Sequence, residues 1–136
     1  MKEKLESLLK TNLLPLAFIG DSVHTLFVRE YCLCNPNYKM ENYHNFASKF
    51  CKASAQATSL SLLQEFLTDE EKEIVRRGRN AKSKHHAKNA TSADYAYATA
   101  FEILIGFLYL SENKERLDEI LNLSISLLFD KENKKN

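Results

Sequence analysis

The sequence predicts an all-α, single-domain protein of about seven helices. Three observations carry this. Apolar residues recur three and four apart along most of the chain, no segment alternates as a half-buried strand would, and only three Gly and two Pro interrupt 136 residues. At 44% hydrophobic, the chain can bury a core of its own. No apolar run approaches the ~18–20 residues of a membrane span, and charges break the apolar pattern of the opening MKEKLESLLK. Neither anchor nor export signal is expected, which assigns the protein to the cytoplasm. An odd number of cysteines suits free thiols there. Cys32 and Cys34, two apart on a helix, face different directions and read as packing residues rather than a zinc pair.

A short first helix is expected from Glu3 to Lys10. The second starts at Pro15, whose missing N–H is no loss in a first turn, and runs to Cys32 before Asn35 and Pro36 break it. A third spans Met40 to Cys51. The fourth lies in SAQATSLSLLQEFL, where Leu60, Leu63 and Phe66/Leu67 keep helical spacing. Thr68 and Glu71 form a capping box that opens a fifth helix, ending near Gly78. A basic loop follows. Ser92 or Asp94 begins a sixth, strongly apolar helix that reaches Leu110, and Leu117, Leu121, Ser124 and Leu128 mark one face of a seventh. The final KENKKN, Lys131 to Asn136, reads as a frayed tail.

Two carboxylates stand out against this pattern. From Thr11 to Val28 the one formally charged residue is Asp21, and from Tyr95 to Leu110 it is Glu102. Both helices are apolar around most of their circumference and are expected to be central and buried, where an unpaired carboxylate is costly. Two readings stand for each. Asp21 could cap a helix restarting at Ser22 and Glu102 could sit in a buried salt bridge. Alternatively, Gly20 and Gly106, small residues on matching faces, let the two helices cross closely and bring the acids together around a hard divalent cation such as Mg²⁺.

Charge is segregated. RRGRNAKSKHHAK, Arg76 to Lys88, holds six of the 19 Lys and Arg and none of the 18 Asp and Glu, which leaves the rest of the chain net acidic. Such a patch suits an anionic partner. Arg76, Arg77, Arg79, Lys82, Lys84 and Lys88 are candidate phosphate contacts, each also readable as a solvated surface charge. Beside the acid pair they suggest phosphodiester chemistry: Arg and Lys hold the backbone, while Mg²⁺ polarises a phosphoryl oxygen and acidifies a bound water. His24, three residues after Asp21, either packs or reaches a water at the ion. His85 and His86 extend the basic loop as charged or idle groups, and Tyr95 and Tyr97 suit packing better than base stacking.

FIGDSV (Phe18 to Val23), RRGRNAKS (Arg76 to Ser83) and TAFEILIGFLYL (Thr99 to Leu110), in this order and with a weaker stretch at HNFASKFCKASAQA, together resemble the Mini-ribonuclease III family, a compact branch of ribonuclease III. The resemblance covers approximately Leu13 to Leu110. It implies one all-helical catalytic domain over residues 1–136, working as a homodimer on double-stranded RNA with Mg²⁺, leaving 5′-phosphate and 3′-hydroxyl ends, and maturing the large (23S) ribosomal RNA precursor. By the motif match, Asp21 and Glu102 fall on the family's acidic metal-binding positions. Full-length ribonuclease III carries further acids where this chain has Leu14, Ala17 and Thr99, and a double-stranded-RNA-binding domain that is not found after the catalytic segment here. RNA affinity would then rest on the basic loop, which can grip A-form phosphates without reading sequence. Arg79 and Lys82 lie in the family-like RNAKS run. The alternatives are a non-catalytic RNA-binding or ribosome-associated module on the same fold, and a helical DNA-binding protein. The paired acids favour catalysis over the first, and the loop position of the basic residues disfavours base reading by the second.

Overall fold

The most apolar segment of the sequence becomes the central helix, and its neighbours are placed by the stripe each can bury against it. The computed structural model describes residues 1–81 and 92–134. Among these are seven α-helices: α1 (Lys2–Thr11), α2 (Leu14–Cys34), α3 (Met40–Cys51), α4 (Ala53–Leu63), α5 (Asp69–Arg79), α6 (Ser92–Leu110) and α7 (Lys114–Lys134). A 3-10 turn at Gln64–Phe66 follows α4, and no strand is present among the described residues. The all-α class and each expected helix are therefore observed. The differences lie at the ends: the expected fourth helix tightens into the 3-10 turn, and α7 carries through Lys134 into the stretch read as a tail.

From Ala98 to Leu110 every α6 residue except Glu102 and Tyr109 is buried. Each fully buried Leu, Ile or Phe stabilises by roughly 1.5–3 kcal/mol, so this run makes α6 the centre of the core. Its C-terminus turns back sharply. The Asn113 N–H donates to the Leu108 carbonyl at 3.3 Å and the Glu112 N–H to that of Tyr109 at 3.1 Å, with Glu112 in the left-handed region at φ 60°. This is the bonding pattern of a Schellman ending, made with Glu in the place usually taken by Gly. The predicted capping box of α5 is present in both directions. Glu71 N–H donates to Thr68 Oγ1 at 3.1 Å and Thr68 N–H to Glu71 Oε1 at 2.9 Å.

The α2–α6 crossing positions the site. A Cβ on Gly20 would overlap the carbonyl oxygen of Glu102, and one on Gly106 would overlap that of Leu16. Only two glycines permit the backbones to meet this closely. The close approach expected from Gly20 and Gly106 is thus what the fold contains.

The expectation that α2 is buried on most of its circumference is not met. Its buried stripe is narrow, Leu16, Gly20, His24, Val28 and Cys32, one residue per turn. Phe18, Leu26 and Leu33 on its outer side are 74%, 61% and 71% exposed. The physical reason is that α6 covers one side of α2 and α3 covers only its C-terminal part. There Val28 and Cys32 join Phe46, Phe50 and Ile125 in a second, smaller core cluster. Cys32 is buried and Cys34 exposed, as their spacing implied, and the three cysteines are free thiols.

Candidate active site

Glu102 is half-buried on α6 and Asp21 is exposed on α2, so the expected burial holds in part for the glutamate and fails for the aspartate. The acids flank the glycine crossing, Asp21 next to Gly20 and Glu102 with its backbone carbonyl against Gly20. Their side chains are within hydrogen-bonding reach of each other. Burial, followed by the hydrogen bond and negative charge of Asp21, pushes the Glu102 carboxyl up to about 8, while a hydrogen bond from Gln56 opposes the rise. The Glu102 carboxyl therefore keeps its proton at neutral pH, beside the negative charge of Asp21.

The capping reading of Asp21 is overturned. Asp21 lies in the middle of α2, one residue after Gly20 and far from either end, so it caps nothing. Glu102 takes part in none of the salt bridges among the described residues.

Gln56 of α4 completes the arrangement. It is 3% exposed, hydrogen-bonds Glu102, and places Nε2 at 3.3 Å from Nδ1 of His24. His24 is itself buried, its ring edge-on to Phe101 at a centroid distance of 4.9 Å. Burial lowers its pKa to about 4 against the opposing pull of Asp21, so the imidazole is neutral at physiological pH. His24 is thus a packed residue behind the acids, as the more conservative of its two readings held. Sequence reasoning missed Gln56. The available signal was its spacing: 56, 60 and 63 share a helix face, and an amide among Leu60 and Leu63 on a buried stripe needs partners.

The basic residues divide. Arg76, Arg77 and Arg79 belong to the last turn of α5, a helix rather than a loop, because Gly78 is buried within it. Arg76 forms an exposed ion pair with Glu73 at 2.6 Å. Arg77 donates to the Leu9 carbonyl at 2.5 Å, tying α5 to α1, and Arg79 stacks on the Tyr97 ring with its guanidinium carbon 4.5 Å from the centroid. Arg76 and Arg79 keep exposed side chains, whereas Arg77 is half-buried. Lys82, His85, His86, Lys84 and Lys88 lie outside the described residues.

Comparison with known proteins fits this geometry. A Ribonuclease III domain family model matches residues 14–113, from the start of α2 to the turn after α6, and so spans both acids and α4. A Mini-ribonuclease 3 of Thermoanaerobacter sp. is 43% identical over 90% of this chain and 87% of its own. Those of Brevibacillus brevis and Staphylococcus aureus are 44% and 42% identical, over 87% and 86% of this chain and 88% and 89% of theirs.

This chain belongs to the Mini-ribonuclease III family.

The crystal structure of a protein from Fusobacterium nucleatum superposes with a TM-score of 0.74 at 29% identity, covering 85% of this chain and 93% of that one. Membership in the Mini-ribonuclease III family makes the chain an endoribonuclease, and no helix among the described residues is long and apolar enough to cross a membrane. It also bears on the thinned acid set. Where larger relatives were expected to carry more acids, this Mini-ribonuclease III chain has half-buried Leu14 and Ala17 and buried Thr99. Among the described residues no cluster of three or more His, Cys, Asp or Glu forms. Two carboxylates suit Mg²⁺, which keeps several waters and takes substrate phosphate as ligand, better than they suit an ion requiring a full protein cage.

Proposed function

We propose that this endoribonuclease cleaves double-stranded RNA with Mg²⁺ and matures the large (23S) ribosomal RNA precursor, working in the cytoplasm as a homodimer. The observation that carries the reading is the convergence of Asp21 and Glu102, two acids with no ion-pair partner among the described residues, at the α2–α6 glycine crossing. Their hard oxygen donors fit a divalent cation, which would take the place of the proton that Glu102 otherwise keeps. When bound, the ion supplies Lewis-acid polarisation of the phosphoryl oxygen. Asp21 and Glu102 would hold it, and Glu102 must release its proton to do so. Arg76 and Arg79, on the exposed end of α5, and Lys82, Lys84 and Lys88 after it, are assigned to the phosphates of the duplex; Arg77 is the weakest member of that set because its guanidinium already serves the Leu9 carbonyl.

The exposed apolar side of α2 supports the homodimer. Phe18 and Leu26 flank Asp21 and leave a hydrophobic patch that a second copy of the chain would cover. One acid pair per protomer then cuts one strand, and two protomers cut both.

Incubation of the protein with end-labelled duplex RNA and Mg²⁺, followed by mapping of both ends of the products on precursor ribosomal RNA, tests the reading. Paired cuts leaving 5′-phosphates are expected, with none after chelation. Undiminished cleavage by Asp21→Asn or Glu102→Gln would refute the site. Double-strand breaks made by a protein that sediments as a monomer, or by a monomeric Phe18→Asp variant, would refute the dimer.

A further inference from the structure

We infer that Gln56 is a positioning residue for the active site: its side-chain amide, oriented by the Nδ1 atom of His24, holds the Glu102 carboxylate in place beside Asp21. The inference rests on the acid-pair reading above and adds to it the element that aims one of the acids.

An amide side chain has two N–H donors on nitrogen and an acceptor on oxygen, and buried without partners it is costly. Gln56 is nearly inaccessible, between buried Ala55 and Ala57 on α4. Its Nε2 faces Nδ1 of His24 at 3.3 Å, and its side chain also hydrogen-bonds Glu102. In the ionised form that would hold a cation Glu102 can only accept, and the bond from Gln56 favours that form, so the amide presents N–H to it. The same nitrogen donates its second hydrogen to His24, which requires Nδ1 to be the bare nitrogen of a neutral ring. Both hydrogens of Nε2 are thereby assigned, and an amide turned over would set its oxygen against the ionised carboxylate and lose that bond. His24 is fixed in turn by burial and by the Phe101 ring at 4.9 Å.

The chain of contacts runs from α2 through α4 to α6 and crosses behind the acids. Without it, Glu102 has three rotatable bonds and, among the described residues, Asp21 as its remaining hydrogen-bond partner. Groups that orient a metal-ligating side chain through its free lone pair are worth about 10–100-fold in metal affinity or activity.

The test uses the full chain and five proteins: wild type, Gln56→Met, His24→Leu, His24→Asn and Glu102→Gln. Binding of Mn²⁺ alone is followed by titration calorimetry without RNA, kcat and KM are measured on duplex RNA with Mg²⁺, and each protein is melted thermally. Gln56→Met is expected to bind Mn²⁺ about 10–100-fold more weakly and to lose kcat in parallel, with KM for RNA unchanged. His24→Asn keeps an acceptor near the Nδ1 position and is expected to retain affinity that His24→Leu loses. Wild-type Mn²⁺ affinity and kcat in Gln56→Met would overturn the inference. If Gln56→Met does not melt cooperatively, the histidine pair decides, and equal Mn²⁺ affinity in His24→Asn and His24→Leu would overturn it. Glu102→Gln separates the two levels. Retained metal binding and cleavage in that variant overturn the acid pair itself, whereas their loss beside an intact Gln56→Met overturns only the role of Gln56.

Discussion

Glu71 and Glu102 are glutamates on neighbouring helices packed against the same core, and their surroundings push their carboxyls in opposite directions. Glu71 has a side chain only 5% exposed, yet it lies below the ordinary carboxylate range. Burial would raise it, but bonds from Arg116 and from the Thr68 N–H outweigh burial. Arg116 reaches it through Nε at 2.8 Å and Nη2 at 2.7 Å, a two-pronged grip that also satisfies the Phe66 carbonyl. Glu102 is half-buried and is raised to about 8, by burial first and then by the hydrogen bond and negative charge of Asp21, with no cation among the described residues to offset them. Depth of burial therefore does not separate a structural carboxylate from a functional one here. Supply of a cation does separate the two: the fold pairs Glu71 with Arg116, and no described Lys or Arg forms an ion pair with Glu102.

The contrast can be broken at either end, and the largest effect is expected at the acid pair. Glu102→Gln should reduce cleavage of duplex RNA at least about 100-fold, since an ion held there contributes several kcal/mol of transition-state stabilisation. Glu71→Gln should leave kcat unchanged. Next comes the crossing that brings the acids together. Gly20→Ala sets a methyl against the Glu102 backbone carbonyl and should destabilise the fold by about 3 kcal/mol or more in urea unfolding, because backbone rather than a side-chain tip must give way. Arg116→Ala leaves Glu71 without its cation and should cost about 2–3 kcal/mol, below the full figure for a buried pair because Arg116 is 18% exposed; cleavage at low temperature should persist.

The pH dependence sharpens the comparison by sign. Glu71 is lowered in the folded state, so its contribution is present above the unfolded carboxyl pKa of 4.5 and is lost as pH falls through the folded value. Glu102 is raised, so its contribution is full below 4.5 and is lost as pH rises toward and through about 8. In the presence of a chelator, urea stability should therefore carry a falling component between those values that Glu102→Gln removes. Divalent-ion affinity should rise over the same range. The smallest effect is expected from Arg76→Ala. Its exposed pair with Glu73 should leave the urea midpoint unchanged, and a raised KM for RNA that rises less steeply with added salt than the wild type's would assign that side chain to the substrate.

Much of this was legible before any fold was known. A charge standing alone in an apolar helix is visible in one dimension, which is why Asp21 and Glu102 could be chosen, and the Thr68–Glu71 box is a local device whose partners lie three residues apart. Glycine at positions 20 and 106 pointed to a close crossing because so few glycines occur in the chain. Gln56 was not legible, since neither of its partners lies on its own helix: His24 is 32 residues before it and Glu102 belongs to α6. Likewise Arg116 and Glu71 are 45 residues apart, and nothing in either neighbourhood announces the pair.

By itself, then, the sequence determined the helices, their order, the two acids and the family, because helical period, caps and motifs act over a few residues. Only the tertiary structure decided that Asp21 faces solvent while Glu102 is half-covered, that α2 keeps an apolar side open, that Arg77 serves α1, and that His24 and Gln56 stand behind the acids. Each of those depends on which faces of distant helices meet, and the meeting is set by packing around α6 and by two glycines that let backbones touch.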